Sequence, residues 1–259
     1  MSSEIAIRTS ILTRSNGSTI AYQSVEGTGI GLVFLHGLHS DKSGTKSHHL
    51  MEYCRKVGHP FLALDMYGHG DSSGNFEDGT ISQWTEDVID VMDQVCPQPQ
   101  ILIGSSMGGW VMLRVAQQHP DRVAGLIGIA AAPDFTEDLM WAKMSAAERK
   151  ELTRSGFIAS PSEYGDEPYR ISLGLIEDGR KNLVLRSPLE IDRPVHLIHG
   201  QQDSDVPWQT ALRLQDNLTS NRVLVTLLAD GDHRLSRGTD LDLLERVADH
   251  MIQMCNANS

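Results

Sequence analysis

Along the chain, short unbroken apolar runs alternate with longer stretches in which apolar positions recur every three or four residues. The runs are GLVFLHG (31–37), FLALDMYG (61–68), QILIGSS (100–106), VAGLIGIAAA (123–132), VHLIHG (195–200) and RVLVTLLAD (222–230). A run apolar at nearly every position suits a strand buried on both faces. Between and after them the spacing predicts helices over 45–57, 80–95, 107–119, 207–219 and 239–254. Two weaker stretches, 5–12 and 18–25, alternate polar and apolar side chains around SNG, the pattern of an antiparallel hairpin. Strand, Gly-rich turn and helix, repeated, is the signature of βαβ units, so the predicted class is α/β with a mainly parallel sheet.

The alternation lapses over 135–192. There MSAAERKELTRSG reads as one helix, and the turn-rich IASPSEYGDEPYRISLGLIEDG follows. Connections of this length are uncommon in compact domains unless they carry a function. The expected organisation is therefore a core of 1–134 and 193–259 bearing a cap insertion, 135–192, with Leu139, Met140, Trp141, Met144 and Phe157 as its large apolar side chains.

Composition narrows the function classes. At 259 residues, 40% hydrophobic and 22% charged, the chain has material for a large core, and its formal charge of −12 repels phosphate backbones and anionic lipid heads. Nucleic acid is excluded as an expected partner. Cys54, Cys96 and Cys255 are odd in number and widely spaced, unlike a disulfide framework. MSSEIAIRTSILTRS lacks the apolar centre of a secretory signal, no run is long enough to span a membrane, and a cytoplasmic location is expected.

The candidate chemistry begins at GSSMGGW (104–110), where a strand meets a helix. Gly104, Ser106 and Gly108 fit G-x-S-x-G, a sharp elbow that projects a serine hydroxyl above a sheet. Centring the pattern on Ser105 would require glycines where Ile103 and Met107 stand, so Ser106 is the candidate nucleophile. The amide of Met107, at the positive end of the following helix, is a candidate oxyanion donor. The Leu38 amide, just past Gly37 in the loop after the first buried strand, is the second.

A serine hydroxyl needs a base, and the base an orienting carboxylate. Asp203 follows the strand VHLIHG and His233 follows RVLVTLLAD, giving the chain order Ser…Asp…His. Asp205 and Asp134 are rival carboxylates, while Asp230 and Asp232 suit turn-shaping roles. His36 suits a structural role. His196 and His199, an odd number apart on a strand, point to opposite faces and cannot share a ligand. His48-His49 and His36-x-x-His39 lack metal-site companions. No cofactor or metal is expected. Gly68, Gly70 and Gly74 echo a dinucleotide loop, but NFEDGT follows where a helix N-terminus would be needed.

FLHGLHS, ALDMYGHGDSSG, ILIGSSMGGW, LIHGQQDSDVPW and DGDHRLS together resemble the α/β-hydrolase superfamily along nearly the whole chain. SGTK, EYCRKVGH, IGSSMGGWVML and HGQQDSDVPW are similar to its branch of mitochondrial palmitoyl-protein thioesterases that also cleave acyl glucuronides. The resemblance implies an α/β-hydrolase fold, a triad of Ser106, Asp203 and His233, no cofactor, and a small-molecule or acylated-protein substrate. Without an Arg-rich transit segment, the mitochondrial address is not expected to carry over. The competing functions are a C–C hydrolase or cofactor-free haloperoxidase using the same triad, and a non-catalytic receptor on the same scaffold.

Overall fold

The computed structural model describes residues 5–160 and 169–256. Residues 161–168, part of the turn-rich stretch, and MSSE at the start of the chain lie outside them. The strands are β1 (Ile7–Thr13), β2 (Thr19–Val25), β3 (Leu32–Leu35), β4 (Phe61–Leu64), β5 (Gln100–Ser105), β6 (Val123–Ile129), β7 (Phe157–Ser160), β8 (Tyr169–Ser172), β9 (Val195–Gly200) and β10 (Val223–Leu228). The α-helices are α1 (Thr45–Val57), α2 (Ile81–Val95), α3 (Met107–Gln118), α4 (Ala146–Ser155), α5 (Leu173–Lys181), α6 (Gln209–Asn217) and α7 (Gly238–Asn256). Among the described residues no helix is long and apolar enough to cross a membrane.

Eight strands form one sheet in the order β1-β2-β4-β3-β5-β6-β9-β10. The β1–β2 hairpin is antiparallel and joins β4 antiparallel; all other pairs in this sheet are parallel. The period of two sorts the side chains into two layers. Leu32, Phe34, Phe61, Ala63, Ile101 and Ile103 pack with Leu50, Cys54, Leu244, Val247 and Met251 of α1 and α7. Val33, Leu35, Leu62, Leu64 and Leu102 pack with Trp84, Val88, Trp110, Val111 and Leu214 of α2, α3 and α6. With both faces covered, β3 and β4 are apolar at every position and β5, β6 and β9 at most of theirs, which is why they read as apolar runs.

Residues 135–192 leave this layered plan. A π-helical turn, Thr136–Trp141, leads to α4, whose Ser145 and Glu148 form a reciprocal capping box and whose end is set by Gly156 at φ 82°. An antiparallel pair, β7–β8, stands apart from the main sheet. A separate small core of Leu152, Ile171 and Ile176 holds these elements together. Trp141 and Phe157, expected among the apolar cap residues, lie under guanidinium groups: Arg180 and Arg149 are 4.3 and 5.2 Å from the Trp141 ring, and Arg170 is 4.2 Å from Phe157.

The chain steps from β3 outward to β4, then returns past β3 to β5. Winding therefore reverses between β3 and β5, and the crevice at their carboxyl ends is where open α/β sheets bind ligands.

Candidate active site

Ser106 sits at that crevice, between the end of β5 and the first residue of α3. Its φ of 54° and ψ of −117° are strained for a residue with a side chain. The elbow is held by its own backbone, with Ser106 N–H donating to Ile129 O at 2.9 Å, and Ser106 O accepting from Gly109 at 2.9 Å and Ala132 at 3.0 Å. The flanking glycines have a steric cause. A Cβ on Gly104 would lie 2.3 Å from Gly108 O, and one on Gly108 would lie 2.2 Å from Leu35 O.

The structure brings Ser106, His233 and Asp203 into one hydrogen-bonded chain. His233 Nε2 lies 3.1 Å from Ser106 Oγ, and His233 Nδ1 lies 2.8 Å from Asp203 Oδ2. The carboxylate fixes the proton on Nδ1 and leaves Nε2 as the acceptor facing the serine. Asp203 Oδ1 accepts from the amides of Asp205 at 2.9 Å and Val206 at 2.8 Å. Burial would raise the Asp203 carboxyl, but the hydrogen bonds from His199 and His233 outweigh it and hold the group well below the usual carboxylate range.

The rival carboxylates are placed otherwise. Asp205 approaches the wrong nitrogen, with its Oδ2 3.9 Å from His233 Nε2. Asp134 is fully buried and accepts from the amides of Val184 at 2.7 Å and Leu185 at 3.0 Å, where the chain returns to the core. Asp230 pairs with Arg237, and Asp232 accepts from Leu235 N–H, both as turn-shaping residues. His196 reaches Thr226, while His199 reaches Asp203 with its Nε2 at 3.1 Å from Oδ2. The opposite facing of these two histidines says nothing of His199 as a partner of Asp203; the readable signal for that contact is the four-residue spacing between them at a strand end. Among the described residues, Asp203, Asp205 and His233 are the group close enough to share a metal ion, and a metal there would occupy the same imidazole that faces Ser106.

The loop after β3 passes against Ser106, since a Cβ on Gly37 would lie 3.3 Å from the Ser106 Cβ. Leu38 and Met107 both line the cavity containing Ser106, and among the described residues neither amide donates a turn or loop hydrogen bond. His36 Nδ1 donates to Gly37 O at 2.8 Å and its Nε2 accepts from Met66 N–H at 3.2 Å. Further along the loop, buried Lys42 bonds Asp65 through its amide at 2.7 Å and its ammonium at 2.6 Å, and reaches Asp71 at 2.6 Å. Burial opposes the Lys42 ammonium, yet the two carboxylates raise its pKa. Both ends of the loop are thus tied to the segment following β4. Nothing in the lone Lys of HSDKSG announces this anchor.

Ser106 opens into a cavity of about 740 Å³. Leu38, Phe135, Leu139, Met140, Met144 and Ile158 supply apolar wall, and Lys46, Asp205, Arg234 and Ser236 supply polar wall. Lys46 donates to Arg234 O, and burial lowers its ammonium to about 8. A separate polar groove of about 550 Å³, lined by Arg14, Glu86, Asp90 and Asp93, contains no serine–histidine pair.

Comparison with known proteins gives three kinds of likeness. Residues 30–158 match the family described as serine aminopeptidase, S33. The chain is 38% identical over 244 residues to mouse (Mus musculus) palmitoyl-protein thioesterase ABHD10, mitochondrial, covering 94% of this chain and 82% of the relative. Among solved structures, a putative hydrolase from Agrobacterium vitis S4 superposes with a TM-score of 0.91 at 39% identity, covering 95% of this chain and 99% of that one. Mouse α/β hydrolase domain-containing protein 10 superposes at 0.88 with 36% identity, covering 95% and 99%. The expected cytoplasmic location is corrected by these findings, since the mouse relative is designated mitochondrial.

Proposed function

The chain belongs to the α/β-hydrolase family, and from that premise we propose that it cleaves carboxylic esters and thioesters through an acyl-enzyme on Ser106, with acyl-protein thioesters of the palmitoyl type as the leading substrate class. The observation that carries the mechanism is the pair of contacts at His233, 3.1 Å to Ser106 Oγ and 2.8 Å to Asp203 Oδ2. His233 Nε2 takes the hydroxyl proton as Oγ attacks the acyl carbon. Asp203 stabilises the resulting imidazolium and keeps its ring oriented, without itself taking the proton. The amides of Met107 and Leu38 receive the oxyanion; a donor of this kind is worth roughly 10²- to 10³-fold in rate. His233 then protonates the departing thiolate or alkoxide, and water repeats the sequence on the acyl-enzyme.

Residues 135–192 serve as a cap on the core formed by 1–134 and 193–259. Phe135, Leu139, Met140, Met144 and Ile158 of this segment offer an acyl chain an apolar, adaptable wall. Each methylene buried there contributes about 0.8 kcal/mol, or roughly fourfold in kcat/KM, until the wall is filled.

The test is hydrolysis of p-nitrophenyl esters and S-acyl thioesters of increasing chain length, with fluorophosphonate labelling of the same protein. Loss of turnover and of labelling in Ser106→Ala, with both retained in Ser105→Ala, is expected. Labelling that survives Ser106→Ala removes the nucleophile assignment.

A further inference from the structure

Asp203 Oδ2 accepts two imidazole N–H groups, from His233 Nδ1 at 2.8 Å and from His199 Nε2 at 3.1 Å. His199 Nε2 is also 3.1 Å from the carbonyl oxygen of Val206. An ionised carboxylate and a carbonyl oxygen are both acceptors only, so the nitrogen between them carries the proton. We propose that His199 is a positioning residue for the reaction: its shared Nε2–H sets the plane of the Asp203 carboxylate so that one oxygen is presented to His233. The proposal rests on the reading of Ser106, His233 and Asp203 as nucleophile, base and acid.

A carboxylate offers about four lone-pair sites. On Asp203 all four are used, two on Oδ1 by the amides of Asp205 and Val206, and two on Oδ2 by the histidines. The amides fix one oxygen, and without His199 the other would be held by His233 alone. That is the ring whose hydrogen bond must persist while its charge changes. His199 is 1% exposed, at the inner end of β9, so no water is at hand to replace its N–H. The same N–H, by bonding Val206 O, ties the acid to the turn that supplies both amide donors. One imidazole therefore couples the strand end, the turn and the carboxylate.

The test compares His199→Leu, which removes the donor, with His199→Gln, whose amide nitrogen falls near the position of Nε2. The measured quantities are kcat, KM, Tm and the far-downfield proton resonance of the His233–Asp203 hydrogen bond. His199→Leu is expected to lower kcat about 10- to 100-fold, the worth of a hydrogen bond to a charged group read as rate. KM should stay within roughly twofold, since the interaction acts on the chemical step. The resonance should shift or broaden, and His199→Gln should recover most of kcat. A role in packing alone predicts losses in Tm with kcat and the resonance unmoved, and that result overturns the proposal. Ser106→Ala and Asp203→Asn run alongside: activity retained in either brings down the underlying triad and the inference with it, whereas inactivity in both with a fully active His199→Leu refutes the inference alone. Should the leucine variant not fold, the ¹⁵N spectrum of the wild-type imidazoles decides. A protonated Nε2 and bare Nδ1 at His199 is expected, and the opposite tautomer refutes the proposal.

Discussion

Replacing Gly108 by alanine adds one methyl group at the point where α3 lies on the end of β3. The new Cβ would stand 2.2 Å from Leu35 O and 2.6 Å from His36 O, against an ordinary contact near 3.4 Å. These are backbone atoms, so no side chain can rotate away. Either α3 shifts outward by about 1 Å, carrying Ser106 and the Met107 amide, or the β3 end moves and carries Leu38 with it. Overpacking of this kind costs about 1–3 kcal/mol. For a chain of this length that is a fall in Tm of about 2–6 °C. A 1 Å misplacement of reacting groups costs on the order of 10²-fold in rate. The assay is a thermal melt together with kcat and kcat/KM on a p-nitrophenyl ester, and Gly238→Ala is the control. Gly238 has nothing within 4 Å of an added Cβ and begins α7, so the same substitution there should leave kcat unchanged and stabilise the protein slightly. A Gly108→Ala enzyme with wild-type kcat and Tm would refute the claim that close backbone approach sets the elbow.

Two other substitutions separate neighbouring roles. Asp134→Asn leaves one of two buried amides facing a donor instead of an acceptor, costing about 1–3 kcal/mol; Tm should fall by several degrees with kcat nearly intact, and a collapse of kcat at unchanged Tm would make Asp134 the acid partner of His233. His69, 5% exposed, is held at about 4, chiefly by burial and then by neighbouring His36. Its pKa is below the unfolded value, so the unfolded chain binds more protons between those values and stability rises with pH there. The contribution is fully lost below pH 4 and amounts to on the order of 3 kcal/mol. Melting curves from pH 7 to 4 should show a shallower fall in Tm for His69→Asn than for the wild type, and parallel curves would contradict this assignment.

How much of this was readable in the sequence depended on how local its cause is. The buried strands and α1 emerge from apolar periodicity, because each residue's layer follows from the two-residue repeat and the covering helices. The apolar runs extend beyond the strands they mark. Strand β6 stops at Ile129, where Ala130 turns to φ 45°, although VAGLIGIAAA stays apolar to 132. Ser106, Asp203 and His233 stand at strand ends where a loop residue of the right type is visible. The partners of Asp134 are not visible, since Val184 lies fifty residues away; the spacing of His199 from Asp203 is visible, but their contact depends on the turn between them. In 135–192 the strands β7 and β8 are four residues each and helix α5 nine, too short for periodicity to separate them from turns.

Ser106 keeps a left-handed backbone that glycine would adopt without strain. Ser106→Gly should therefore melt above the wild type while hydrolysing nothing. A library of variants sorted by heat resistance alone would drift toward that inert protein. Only a selection that also demands turnover would retain the side chain, so at this one position durability and activity pull in opposite directions.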